Sequence, residues 1–143
     1  MTEQENHENN EFLSINQMAM ESANAFLKHL AILNGGAAVA VLSFLAAISD
    51  TASARVVSEV AIALRWFAFG AVLAVSDLGL AYLTNYMLLG SLNARGQPKE
   101  NFYNFLKRGF HILAVMFSVF SIGMFLMGVW AVSNSFLEFG QLD

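Results

Sequence analysis

Three stretches of this chain are too apolar to face water along their length. Leu30 to Ser49 carries no charge, Trp66 to Gly90 carries only Asp77, and Ile112 to Leu137 again carries none. Each approaches or exceeds the roughly 20 residues that, at about 1.5 Å apiece, take a helix across about 30 Å of hydrocarbon. Lipid offers no partner to a backbone N–H or C=O, so such segments must be helices. A water-soluble three-helix bundle would need a polar stripe on each helix, and these lack one. Composition points the same way, with 57% apolar and 13% charged residues against about 45–50% and about 25% in soluble domains. The expectation is an all-α integral membrane protein with three transmembrane helices, spanning about 30–49, 66–90 and 112–137.

The flanking segments complete one domain over residues 13–143. Residues 1–12, "MTEQENHENNEF", are acidic and polar and read as a disordered tail. They lack the basic start of a cleavable signal peptide. Phe12, Ile15, Ala19, Ser22, Phe26, His29 and Leu33 then recur at three-four spacing. This predicts an amphipathic helix capped by Ser14 with Gln17 and continuous with the first span. Asp50 or Thr51 would start a second helix whose first turns, to Arg65, form an extension outside the bilayer. In the basic connection, 93–108, Gly96 reads as a helix stop and Pro98 as a first-turn residue of a short basic amphipathic helix ahead of the third span.

Charge orients the chain. Lys28, Arg95, Lys99, Lys107 and Arg108 fall on one side and only Arg55 and Arg65 on the other. The positive-inside bias therefore puts the amino terminus in the cytoplasm and the carboxyl terminus outside. Arg65, Trp66 and Trp130 are the expected anchors at the outer interface and Tyr86 at the inner one, and general character suggests a bacterial inner membrane.

Helices in lipid associate through close backbone approach and polar contacts. The first span offers Gly36, Ala40, Ser43 and Ala47, and the second offers Gly70, Ala74, Asp77 and Ala81 at matching offsets, which predicts a small-residue packing seam. Gly35 beside Gly36 allows close contact or a bend, with Asn34 placed to pair with a backbone group the bend would release.

Asp77 is the residue that most needs a reason. An ionised Asp at the bilayer centre costs about 2.5–3.5 kcal/mol, so it should face protein or water. Counting from the span ends puts it level with Ser43 and Ser121, hydroxyls rather than cations. Two roles follow: a hydrogen bond between helices, or a place on an ion or proton pathway, with Asn34 a further polar contributor. His29 and His111 lack a third ligand nearby, so no metal site is expected.

No cysteine, HExxH, nucleophile elbow, GxGxxG or convergent carboxylate pair is present. These absences argue against an enzyme and call for no cofactor. An acidic net charge of −4 gives no reason to expect nucleic acid. The expected partners are the lipid bilayer and further copies of the chain, as a homo-oligomer that forms an ion channel or membrane-disrupting pore. The alternative is an accessory or scaffold subunit that holds another membrane or cytoplasmic protein through the amino-terminal helix. In size and span number the outline resembles lysis proteins of the holin type, but "FLEFGQLD" is acidic and placed outside where a basic cytoplasmic tail would be expected.

Overall fold

The structure is a computed structural model that describes residues 3–50 and 52–139, with side chains placed for 14–15, 17–50 and 52–136. Three helices run up, down and up: α1 (Glu3–Ile48), α2 (Ala54–Asn93) and α3 (Glu100–Phe139). At about 1.5 Å per residue they are about 69, 60 and 60 Å long, roughly twice the hydrocarbon thickness. Each carries a segment long and apolar enough to cross a membrane: Gln17–Ile48, Ala54–Asn93 and Glu100–Phe136.

The helix ends depart from expectation in four places. α1 begins at Glu3, so the backbone of residues 3–12 is helical where a disordered tail was expected. Ser14 therefore lies inside α1 rather than capping it, and Gln17 Nε2 donates forward to Glu21 at 2.9 Å. The start of α2 is capped by Ser53, whose Oγ accepts from the Val56 N–H at 3.4 Å; Asp50 lies in the preceding turn and Thr51 outside the described residues. Gly96 does break the chain direction, with φ 77 and its N–H donating to Glu100 Oε2 at 2.7 Å. Pro98 sits in the turn ahead of α3, and the basic segment is simply the first turns of α3 rather than a helix of its own.

Packing follows a heptad. α2 buries Val56, Val60, Ala63, Phe67, Gly70, Ala74 and Asp77, alternating steps of four and three. α1 answers with Leu27, Asn34, Val41 and Ile48, each seven apart. Asn34 stands directly on Gly70. Two turns away in one direction are Val41 and Ala63, two more reach Ile48 and Val56, and two turns the other way are Leu27 and Asp77. A seven-residue repeat on both partners is the pattern of shallow left-handed crossing.

On α1 the expected seam lies outside the contacts within the bundle. Gly36, Ala40, Ser43 and Ala47 are exposed, Gly35 is half-buried, and a Cβ added at Gly35 or Gly36 would meet nothing within 4 Å. α1 also runs unbroken through the glycine pair. Close approach needs a small residue on only one side of each contact, and the structure pairs small with large. Asn34 fills the space at Gly70, Phe67 that at Gly128, and Tyr103 that at Gly90. On α2, Gly70, Ala74 and Asp77 are buried and Ala81 half-buried.

Above this level the bundle is dry. Val41, Ile48, Val56, Val60, Ala63 and Phe67 form the buried core. Phe125 tilts against Phe67 at 5.6 Å between ring centroids, and Phe44 against Phe136 at 5.2 Å. Phe125, on α3, is thus part of the seal.

Candidate functional site

Beneath the dry core lie two polar tiers. In the upper one, Asn34 Nδ2 donates to Leu30 O at 3.1 Å and to Ser121 Oγ at 3.2 Å, and Ser121 Oγ donates to Gly70 O at 2.7 Å. This chain ties one atom of every helix to the others. Asn34 and Ser121 are both fully buried, at 0% exposure. The expected backbone partner of Asn34 is there, the Leu30 carbonyl one turn back. It is drawn in with the helix intact, not released by a bend.

The lower tier is Asp77, 1% exposed. Its partner is Ser118, whose hydroxyl donates to Asp77 Oδ2. The expected partners were Ser43 and Ser121, and neither serves. Ser43 is exposed and donates to Val39 O at 2.9 Å within α1, while Ser121 belongs to the upper tier. The error lay in the register. Depth counted from span ends put Ser43 opposite Asp77, whereas the heptads place Leu27 there, because Asn34 must sit on Gly70 for its bulk to be housed. Counting hydropathy from the ends could not find this, because the register is set by the Asn34–Gly70 contact.

Asp77 Oδ1 is buried and has no hydrogen-bond partner among the described residues. Asp77 is one of the residues lining a cleft of about 340 Å³. α2 forms the floor, α1 and α3 the sides. At the Asp77 end is Ser118. About two turns along α2 are Thr84 and Asn85, with His111 on α3. Between them the walls are apolar: Ala81, Ala114, Ala23 and Leu27, with Asn24 the polar exception. Thr84 Oγ1 donates to Leu80 O at 2.8 Å, and the hydroxyl oxygen keeps its capacity to accept. The sequence reading did not single out Ser118, Thr84, Asn85 or Asn24 for this site; no short motif marks them, and only the helix register brings them together.

The expected interfacial anchors fall into levels. Phe67 packs on Gly128, so Arg65, Trp66 and Trp130 lie at about one level along the helix axes, one or two residues further along each helix. Trp130 and Arg65 are exposed and Trp66 half-buried. At the other end Tyr103 packs on Gly90, which brings exposed Tyr86 level with Lys107. From Trp66 to Tyr86 the rise is about 30 Å, the thickness of a hydrocarbon layer. Asp77 lies near its middle.

Lys28 falls in an unexpected place. Following Leu27 by one residue, it stands about level with Asp77 but on the outward face of α1, in a strip with Glu21 and Asn24. The first-span boundary at Leu30 had put it at the inner membrane edge. Among the described residues the one salt bridge is Arg55 to Glu59 at 3.4 Å, so neither Lys28 nor Asp77 has an ionic partner there. His29 is exposed on α1 while His111 lines the cleft, and no group of three or more potential ligands for a metal ion occurs among the described residues.

Compared with known protein families, curated proteins and solved structures, the chain matches none.

Proposed function

We propose that the chain is a small, non-enzymatic integral membrane protein that assembles with copies of itself and gives protons or cations a route into the bilayer by way of Asp77. The amino terminus and the 94–99 turn face the cytoplasm and the carboxyl end the outside, following the charge bias. One observation carries the reading: an acid and a base stand halfway between two aromatic levels, Asp77 inside the bundle and Lys28 outside it, and neither is paired. Lys28 is about 15 Å from the Tyr86 level, beyond what a four-carbon stem can span by snorkelling. A charge held there costs about 2.5–3.5 kcal/mol or more in lipid, so another protein surface or water covers it.

A second copy of the chain is the simplest cover. The exposed small stripe Gly36, Ala40, Ser43 and Ala47 lies on α1 above Lys28 and suits close helix approach between like subunits. The aromatic and aliphatic core above Asn34 blocks any passage through the middle of one protomer. The route therefore runs along the outward strip of α1, between copies, with Asp77 reached through its cleft.

The alternative, an accessory subunit that anchors a larger complex, draws on a different feature. α1 continues to Glu3, about 22 Å past the level of Tyr86, and offers an arm for a cytoplasmic partner. The deciding experiment is a particle count by native mass spectrometry or cryo-EM in detergent, paired with ion flux in liposomes. An oligomer with a central hole, and a flux that Asp77→Asn lowers at least ten-fold without dispersing it, is the expected result. A monomer that conducts nothing and co-purifies with an unrelated protein would refute the first reading and favour the second.

A further inference from the structure

The cleft holding Asp77 has the shape and polarity of a small-molecule site. We infer that it binds a protonated amine carried on a short apolar body. This rests on the reading above that Asp77 receives cations, and names the kind of cation.

The acid fixes the charge of the ligand. Asp77 Oδ2 already accepts from Ser118, whereas Oδ1 is buried without a hydrogen-bond partner among the described residues, and Asp77 lines the cleft. A carboxylate with one unclaimed oxygen is matched by an N–H donor that brings its own positive charge. It does not satisfy a hard metal ion, which takes six or more oxygens. The nearest further oxygens on the floor, those of Thr84 and Asn85, lie about 10–12 Å away along α2, too far to complete a coordination shell.

The walls fix the rest of the ligand. Between the acid and the mouth the lining is Ala81, Ala114, Ala23 and Leu27, which gains nothing from a hydrated ion and favours an aryl or alkyl body. At about 340 Å³ the space is at the lower end of the roughly 300–1,000 Å³ range of ligand pockets, and it is two helical turns long. An ammonium at Asp77 would leave the far end of such a body beside Thr84, Asn85 and His111. α1 and α3 both lean on α2 and close the cleft only partly between them, which leaves a side entrance for an amphipathic cation already dissolved in the bilayer.

The test uses the full chain in detergent, titrated calorimetrically with phenethylammonium chloride. 2-Phenylethanol, with the same body and no charge, is the control for partition into micelles. The amine should bind at least ten-fold more tightly than the alcohol, because a hydrogen bond to a buried charge is worth that factor or more. Asp77→Asn should abolish the difference. Ala81→Leu, which fills the cleft and keeps the acid, should weaken the amine at least ten-fold while far-UV circular dichroism and the particle size stay unchanged. Equal binding of amine and alcohol, or amine binding indifferent to both substitutions, overturns the inference. Proton flux in liposomes separates it from its premise. Flux lost in Asp77→Asn with no amine binding to the wild type sinks the ligand and spares the pathway; amine binding with no flux does the reverse.

Discussion

Gly70→Ala tests the register on which every statement about Asp77 depends. A Cβ at Gly70 would sit 2.7 Å from Asn34 Cγ and 3.2 Å from Nδ2, inside the limit that real Cβ contacts respect. Asn34 cannot swing away cheaply, because it is fully buried and its amide is held by Leu30 O and Ser121 Oγ. Overpacking of one methyl typically costs about 1–3 kcal/mol. A displaced inter-helix hydrogen bond adds about 0.6–1.7 kcal/mol in a membrane protein. The expected loss is therefore about 2–4 kcal/mol, read from unfolding by sodium dodecyl sulfate in mixed micelles, followed by circular dichroism. Asn34→Ala removes the obstruction, so the double variant should be more stable than the two single losses predict, by about 1–3 kcal/mol. Gly79→Ala is the control, since a Cβ there meets nothing within 4 Å, and it should change stability by less than about 0.5 kcal/mol. If Gly70→Ala proves as silent as Gly79→Ala, or if the two losses simply add, then α1 does not sit on α2 in this register. The cleft built on it would then have to be abandoned.

Gly128→Ala would push a methyl to 2.7 Å from the Phe67 ring, so about 1–3 kcal/mol should be lost in the same assay; no loss would contradict the seal above the polar tiers. Ser118→Ala strips Asp77 of its one hydrogen-bond partner among the described residues and should cost about 0.6–1.7 kcal/mol, with Ser118→Thr, which keeps the hydroxyl, closer to wild type. The chain has no cysteine, so single cysteines at Asp50 and Gln97, both exposed in the turns, report topology directly. An impermeant maleimide should reach Gln97→Cys only from the cytoplasmic side and Asp50→Cys only from outside; labelling of both from one side would rule out three crossings.

Much of the architecture was legible in the residues alone. Three uncharged or nearly uncharged runs dictate three long apolar helices, since no other structure closes all its backbone hydrogen bonds within a single segment. Gly70, Ala74 and Asp77 could be assigned to one buried face of α2 because a heptad is a property of one helix and needs no partner to be seen. What the sequence could not contain was the axial position of α1 against α2, for a helix slides by whole heptads with little change in pattern. That position was decided by volume: the Asn34 side chain is received at Gly70, as Phe67 is at Gly128 and Tyr103 at Gly90. Once those three contacts lock, Asp77 falls opposite Leu27 and beside Ser118, the small stripe of α1 turns outward, and Lys28 is carried to mid-depth. Composition determined that helices of this kind form; steric fit between large and small side chains on different helices determined which polar groups meet.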